Sequence, residues 1–144
     1  MLALMPSASW FQELSSVDTP GKGFTDITAR VQAIVSRSGL RMGQCHIFVR
    51  HTSASLVIQE NADPTAKSDL ERWLARLVPE GDPFYEHYAE GPDDMPSHIK
   101  AALTATSLSI PVMNYRLALG QWQGIYLWEH RRRGSRREIV LHIS

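Results

Sequence analysis

The sequence predicts an α+β fold in which three helices accompany a largely antiparallel β-sheet. Three segments carry the apolar spacing or the capping residues of helices, at 24–39, 63–78 and 97–104. Runs rich in β-branched and aromatic residues lie before, between and after these segments, and several fall in the C-terminal part of the chain. Runs of strands interleaved with helices in this way are typical of the α+β class.

The composition is that of an ordinary globular protein. With 144 residues we expect a single domain over 1–144, in which 1–20 forms an N-terminal extension or an edge strand. Hydrophobic residues make up 43% and charged residues 21%, which argues against disorder. The 15 basic and 15 acidic side chains balance, which removes the long-range field of a general nucleic-acid or membrane-surface binder.

Three features of the sequence indicate a cytoplasmic location. Cys45 is the only cysteine, so an intrachain disulfide framework is excluded. The apolar N-terminal segment has no Lys or Arg before it and is interrupted by Pro6, which makes it a poor secretory signal. No uncharged apolar run approaches the roughly 18 residues of a transmembrane helix. We therefore expect a cytoplasmic protein whose partners include neither nucleic acid nor a membrane.

The N-terminal half is predicted to contain three strands and one helix. A short strand lies around Trp10–Leu14. The segment 24–39 predicts a helix because apolar residues recur at helical spacing and Gly39 can end it. Those apolar residues are Ile27, Val31, Ile34 and Val35. A strand over 43–51 follows, and 53–60 is predicted to be its partner.

The C-terminal half begins with the clearest helix of the chain. Asp63 can cap it and Pro64 suits its first turn. Its apolar stripe consists of Leu70, Trp73, Leu74, Leu77 and Val78. The loop 79–96 is long for a compact domain, and its aromatic and proline content favours an ordered, functional loop. We expect Ser97 to cap a short helix that runs through Thr104. Four strand-like runs follow, at 107–112, 116–119, 124–130 and 137–143.

Two polar side chains are predicted to end apolar strand faces. By the period of two, His51 ends the buried face of the first long strand and is followed by Thr52 and Ser53. His51 either reaches a cleft or bonds a carbonyl at the edge of the core. Glu129 ends another apolar face, where a carboxylate needs a partner. Arg131 or a metal ion could be that partner, and a simple surface salt bridge is the alternative.

The long loop and the helix after it contain residue types that bind metals and anions. His87, Asp93, Asp94 and His98 lie there. His and Asp ligands suit Zn²⁺, whereas paired aspartates suit Mg²⁺ or Mn²⁺ bridging to phosphate. The amides of the first helical turn, with Lys100, favour a bound anion. The alternative is an ordinary helix start whose acidic residues complement the helix dipole.

Two further segments are candidates for binding. Glu60 and Asn61 directly follow a strand, where polar groups gather without a helical role. The segment 130–138 places five arginines around a predicted Gly-Ser hairpin turn. This turn is either a solvated hairpin that protects a sheet edge, or a place where Arg131 or Arg136 binds a substrate phosphate. A nucleic-acid patch is disfavoured by the neutral overall charge.

Four segments of the chain resemble the signature blocks of a known family. They are "HTSASLVIQENADPTAKSDLE", "YEHYAEGPDDMPSHIKAAL", "SIPV" and "LGQWQGIYLWEHR". These blocks resemble the YjbQ-type family, also called the secondary thiamine-phosphate synthase enzyme family. The resemblance runs in order from about Phe24 to Ile143, and no dinucleotide, P-loop or nucleophile-elbow motif competes with it. Gln121 and Tyr115 depart from the family pattern, where Thr and Gly are common.

The resemblance implies an architecture and a set of site residues. It implies a compact α+β fold with a mixed β-sheet layered against helices, assembled as a homotrimer with clefts between subunits. It implies a divalent metal ion, Zn²⁺ or Mg²⁺/Mn²⁺, whose natural carriers are His51, His87 and His98, with His130 a less favoured fourth. The matching catalytic positions are His51, Glu60, Asp93, Asp94, Lys100, Glu129 and Arg131, and the matching substrate positions are Thr52, Ser53, Asn61 and Gln123.

The resemblance also implies an activity, which leaves three hypotheses open. The first is weak thiamine-phosphate synthase activity, in which a thiazole nitrogen displaces pyrophosphate from a hydroxymethylpyrimidine carbon with help from a metal and basic groups. The second is a metal-dependent hydrolase of a small phosphorylated metabolite, with Glu129 or Glu60 as base. The third is a non-catalytic trimer that binds a metal or a metabolite.

Overall fold

The protein is described by a computed structural model covering residues 9–144, which form eight strands and three helices. The strands are β1 (Phe11–Asp18), β2 (Gly23–Asp26), β3 (Gly43–Val49), β4 (Ala54–Glu60), β5 (Ser107–Met113), β6 (Arg116–Leu117), β7 (Gln123–Glu129) and β8 (Arg136–Ile143). The helices are α1 (Thr28–Ser38), α2 (Pro64–Leu77) and α3 (Asp94–Leu103). The α+β class predicted from the sequence is confirmed. The strand predicted around Trp10–Leu14 is present as β1, whereas residues 1–8 lie outside the described part.

The strands form two antiparallel sheets, not the single mixed sheet that the family resemblance implies. One sheet has five strands in the order β1-β8-β3-β5-β6, and the other has three in the order β2-β7-β4. Every strand pairing among residues 9–144 is antiparallel. The three helices therefore do not serve as crossovers between parallel strands.

One hydrophobic core joins both sheets and α1. In β3 the inward side chains alternate with outward ones, so Cys45, Ile47 and Val49 are buried while His46 and Phe48 are exposed. The three-stranded sheet contributes further buried side chains, and α1 presents its apolar face to the same cluster. The core members from these two elements are Val31, Ile34, Val35, Ala54, Leu56, Ile125 and Leu127.

The second face of the three-stranded sheet is covered by α2 and α3. A smaller apolar cluster joins Leu74 and Val78 at the end of α2 to Trp128 of β7, with Ile99 of α3 packed against it. Because both faces of the sheet are covered, β7 is buried from Gly124 through Glu129. This double coverage places the strand-end residue Glu129 in the interior.

Several predicted element ends are confirmed, and one strand was missed. Gly39 ends α1 with a left-handed φ of 69°, and the Asp63 side chain accepts a hydrogen bond from the Thr65 amide at the start of α2. The helix predicted over 24–39 begins only at Thr28, because the residues before it pair with β7 as β2. The Asp26 carboxylate accepts the Thr28 amide at 2.9 Å where the strand ends.

Three predictions about connections were wrong. β4 does not pair with β3 but with β7 in the other sheet. The arginine-rich segment 130–135 is not a hairpin, because β7 and β8 belong to different sheets and the segment crosses between them. Ser97 does not cap a helix, since α3 begins at Asp94 and the Ser97 hydroxyl donates back to the Asp94 carbonyl at 2.5 Å. Among the described residues, no helix is long and apolar enough to cross a membrane.

Candidate metal centre

Two histidines and one aspartate form a compact cluster beside α3. One ligand atom from each of His87, Asp94 and His98 can be chosen so that all three lie within 4.8 Å of one another. Asp94 and His98 are four residues apart on α3, so they share a helix face, and His87 reaches them from the loop before it. The His87 Nε2 lies 2.6 Å from Asp94 Oδ2, and the His98 Nε2 lies 3.4 Å from Asp94 Oδ1. His/Asp/His donors of this kind suit a divalent cation.

Backbone contacts orient His98 within this cluster. The His98 Nδ1 lies 2.9 Å from the Thr52 carbonyl oxygen, to which it donates. A histidine that donates from Nδ1 keeps the lone pair of Nε2 available, and Nε2 is the atom that faces Asp94. Thr52, predicted to bind substrate, therefore acts through its carbonyl to position a candidate metal ligand.

Arg131 donates hydrogen bonds to both aspartates at the start of α3, Asp93 and Asp94. Its Nε donates to Asp93 Oδ2 at 3.1 Å, its Nη1 donates to Asp94 Oδ1, and its Nη2 donates to the Glu90 carbonyl at 2.9 Å. The Asp94 side chain is only 2% exposed, so this guanidinium at Oδ1 and the His87 Nε2 at Oδ2 together satisfy a buried carboxylate. Burial alone would raise the pKa of Asp93, but the Arg132 amide and the Arg131 charge outweigh it and leave the pKa lowered.

His51 does not belong to the cluster, although the family resemblance implied that it carries the metal. Its Nε2 accepts a hydrogen bond from the Glu138 amide at 2.8 Å, which is the role of a histidine bonded at the edge of the core. Burial and the nearby Arg137 charge lower the pKa of His51. His51 instead lines a cavity of about 210 Å³ together with His98 and Thr106. Asp94, predicted only as a catalytic residue, takes the third place in the cluster.

Glu129 is fully buried, and the charged side chain that pairs with it is Arg137 rather than the predicted Arg131. The Arg137 Nε donates to Glu129 Oε1 at 2.8 Å and its Nη2 donates to Oε2. The Thr19 hydroxyl donates to Oε1 at 2.7 Å, and the Arg131 backbone amide donates to Oε2 at 3.2 Å. These hydrogen bonds outweigh the effect of burial, which opposes ionisation, so the pKa of Glu129 is lowered. Arg137 also donates from Nη2 to the Ser53 hydroxyl at 2.9 Å.

Lys100 and His130 lie in the layer between the three-stranded sheet and the helices. Lys100 follows His98 by two positions, so it projects from a different side of α3 and does not point at the cluster. Burial is the largest cause that lowers the pKa of Lys100. The His130 Nε2 lies 2.9 Å from the Ser55 hydroxyl, while burial and the nearby Lys100 charge lower the pKa of His130 to about 3.

The remaining predicted residues lie at the far end of the β4–β7 pair. Glu60 faces Gln123 in the register, whereas Ala54 faces Glu129 at the other end. Six residue steps of strand separate these ends by roughly 20 Å. Asn61 lies beyond the far end, where its Nδ2 donates to the Gln121 carbonyl at 3.2 Å. Within one chain, Glu60, Asn61 and Gln123 are therefore not part of the site around α3.

Arg137 is a buried charged residue beside the candidate site that the sequence did not single out. Residues of β8 alternate between faces, and Arg137 shares the inward face with Ile139, Leu141 and Ile143. The period of two along 137–143 thus carried the signal that a charged side chain enters the core. The partner of that charge could not be read from the same pattern, because Glu129 belongs to the other sheet.

Cavities flank the cluster on both sides. The 210 Å³ cavity lies on the His98 side. A cavity of about 380 Å³ lies on the His87 side, where Tyr85, Tyr88 and Met95 line it. A cation at the cluster would therefore have room for a ligand beside it.

Comparison with known proteins agrees with the sequence resemblance. The sequence profile described as UPF0047 protein YjbQ-like matches residues 12–144. A UPF0047 protein of Synechocystis is 51% identical over 144 residues, covering 98% of each chain. The UPF0047 protein YjbQ of Escherichia coli O157:H7 is 42% identical over 132 residues, covering 91% of this chain and 95% of the other.

Solved structures show the same fold. A yjbq/upf0047 family protein of Clostridium acetobutylicum superposes with a TM-score of 0.82 at 37% identity, covering 92% of this chain and 99% of the other. A conserved protein of Thermus thermophilus gives a TM-score of 0.78 at 38% identity, covering 89% and 97% of the two chains. The chain belongs to the YjbQ/UPF0047 family.

Proposed function

We propose that the protein is a metal-dependent enzyme with weak thiamine-phosphate synthase activity, acting on a small phosphorylated substrate. The observation that supports metal binding is the His87–Asp94–His98 cluster, whose ligand atoms lie within 4.8 Å of one another. Three protein ligands leave at least one position open to substrate, as catalytic metal sites do. The activity itself is inferred from the resemblance of the signature blocks, which implies this reaction.

The residues of the cluster fit a divalent cation. His98 presents Nε2 because its Nδ1 is occupied by a backbone carbonyl. Asp94 brings a carboxylate whose second interaction, with Arg131, fixes its orientation. Two imidazoles and one carboxylate favour Zn²⁺, and Mg²⁺ or Mn²⁺ is the alternative because they prefer oxygen ligands.

The proposed reaction requires little proton transfer by protein side chains. The thiazole nitrogen forms a bond to the pyrimidine methylene carbon, the bond from that carbon to the pyrophosphate oxygen breaks, and pyrophosphate leaves with the electron pair. A bound cation would supply charge neutralisation at the leaving oxygens. Arg131 keeps Asp94 in place and adds positive charge beside the cluster, and the flanking cavities hold and align the two organic groups.

The hydrolase alternative is less well supported within one chain. It requires a free carboxylate near the cluster to act as base. Both oxygens of Glu129 are occupied by donors in the interior, and Glu60 lies at the far end of the β4–β7 pair. A non-catalytic metal-binding protein is the other alternative, and the assay below separates it from an enzyme.

The test uses purified protein, both phosphorylated precursors and a divalent metal, with thiamine phosphate as the measured product. We expect product formation that His98→Ala reduces at least about tenfold, because the variant loses a metal ligand. His46→Ala is the matched control, since His46 is exposed on β3 and, among residues 9–144, its side chain bonds only Ser109. Equal product from wild type and His98→Ala would overturn the proposal and point to a contaminant, and no product with intact metal binding would favour the non-catalytic alternative.

We also propose the homotrimer that the resemblance implies. Leu14, Val140 and Phe48 lie side by side on neighbouring strands of the five-stranded sheet, on its outward face. Leu14 is 54% exposed and Phe48 is 45% exposed, so this apolar row is left uncovered by residues 9–144. Sedimentation equilibrium of wild type and Phe48→Glu tests the proposal: we expect a trimer that the charged side chain weakens, and a monomeric wild type would refute it.

A further inference from the structure

A further cavity is lined by Arg131 and by polar residues, none of which is a histidine. Its volume is about 300 Å³. The lining residues are Ser53, Arg131, Arg133, Gly134, Ser135 and Arg137. Three guanidinium groups and two hydroxyls around one cavity make a surface suited to an anion with several oxygens. Arg131 connects this cavity to the His87–Asp94–His98 cluster, because it lines the cavity and pairs with Asp94.

Arg137 is the buried cation of this cavity. Its side chain is 6% exposed, and its Nε and Nη2 donate to Glu129 and Ser53. Among residues 9–144, no hydrogen-bond acceptor contacts its Nη1, although the side chain lines the cavity. Since arginine presents five N–H donors, part of this buried guanidinium is left for a ligand.

Arg133 provides the second cation of the cavity and, unlike Arg137, is not paired with a carboxylate of the described chain. Arg131 and Arg132 pair with carboxylates, as do Arg136 and Arg137 on the other side of the turn. Within the described chain, Arg133 alone of these five arginines has no carboxylate within ion-pair distance. Its positive charge is therefore available at the cavity wall.

The turn that carries these groups is held in place. The Thr19 amide donates to the Ser135 carbonyl at 3.0 Å, and the Ser135 amide donates to the Thr19 hydroxyl at 3.1 Å. At Gly134 a Cβ atom would lie 1.8 Å from the Thr19 carbonyl oxygen, so only glycine allows this close approach. A fixed turn lowers the ordering cost of binding, because Arg133 and Ser135 start near their bound positions.

We infer that this cavity is an oxyanion site that binds phosphate or the phosphoryl group of a small metabolite through Arg133 and Arg137. The anion site is inferred from the cavity and the arginines that line it, and it does not depend on the proposed function. Its use by a substrate whose other end reaches the metal cluster rests on the proposed function. Glu129 and Thr19 act as positioning residues, since they hold Arg137 and the turn.

The test is calorimetric titration of metal-free, EDTA-treated protein with inorganic phosphate and, separately, with methyl phosphate. We expect saturable binding that Arg133→Met weakens about tenfold, as the loss of one charge-assisted contact predicts. Arg136→Met is the matched control, because Arg136 begins β8 directly after this segment, pairs with Asp18 at the surface and does not line the cavity. Its affinity is expected to stay within about twofold of wild type.

The outcomes separate the alternatives. Binding of both probes supports a phosphoryl group as ligand, and binding of inorganic phosphate alone supports free phosphate. Absence of saturable binding, or equal weakening by Arg133→Met and Arg136→Met, overturns the anion site. Since the titration is done without metal, a failed metal site leaves this result unchanged, and Zn²⁺ titration of Arg133→Met shows whether the two sites are independent.

Discussion

Glu129 and Arg137 form a buried ion pair that joins the two sheets of the protein. Glu129 ends β7 in the three-stranded sheet, and Arg137 begins the inward face of β8 in the five-stranded sheet. Two guanidinium nitrogens donate to the two carboxylate oxygens, one to each. The Arg137 side chain is 6% exposed and the Glu129 side chain is 0% exposed. The pair therefore fixes the crossover 130–135, which brings Arg131 to the His87–Asp94–His98 cluster and Arg133 to the wall of the proposed anion site.

Arg137→Met is expected to destabilise the protein by about 3–5 kcal/mol, because it leaves the Glu129 carboxylate buried without its cation. Urea unfolding measures the loss. Arg136→Met, whose ion pair with Asp18 is exposed on both sides, should change the free energy of unfolding by less than about 1 kcal/mol. The double variant Arg137→Met with Glu129→Leu should recover most of the loss. A single variant as stable as wild type would contradict this role of the pair.

Arg131→Met is expected to lower the free energy of unfolding by about 3 kcal/mol in EDTA, since Asp93 and the buried Asp94 lose a shared cation. The neighbouring Arg132→Met is the control. Arg132 pairs with Glu80 from a side chain that is 60% exposed, so its loss should cost less than about 1 kcal/mol. Equal losses in the two variants would show that Arg131 does not hold the aspartates.

Metal titration distinguishes the observed cluster from the ligand set predicted by the sequence. His98→Ala should weaken Zn²⁺ binding at least about tenfold, because it removes a donor of the cluster. His51→Ala should leave the affinity within about twofold, since the His51 Nε2 accepts a backbone amide instead. Isothermal titration calorimetry with Zn²⁺ measures both. A larger effect of His51→Ala than of His98→Ala would favour the predicted histidine triad.

His130 is expected to make the protein less stable in mild acid. Its pKa is about 3 when folded and near 6.5 when unfolded, so between these values only the unfolded state binds the proton. The contribution of His130 to the free energy of unfolding is therefore fully present above pH 6.5. Below that pH it falls by up to about 1.4 kcal/mol per pH unit. Urea unfolding between pH 7 and 5 should show a smaller slope in His130→Gln than in wild type, and identical slopes would refute the assignment.

Local patterns in the sequence were sufficient to predict most helices and strands, whereas the candidate metal ligands were predicted from the family resemblance. Helical spacing and capping residues placed α1 and α2, because the interactions that form them lie within a few residues along the chain. His87, Asp94 and His98 were named as site residues through the resemblance of the signature blocks. Their spacing alone gave no ligand signature, because the helix was predicted to begin at Ser97, which left Asp94 outside it. The one missed strand, β2, is short and exists through its pairing with β7.

The sequence by itself determined the class of fold, the family and the residue types available for chemistry. The tertiary structure decided which of those residues meet. The strands form two antiparallel sheets, and Glu129 pairs with Arg137. Asp94, not His51, joins His87 and His98 in the cluster. Glu60 and Asn61 lie at the opposite end of the β4–β7 pair. The reason is physical: spacing along the chain reports which face a side chain takes, whereas partners across sheets depend on long-range packing that no local period encodes.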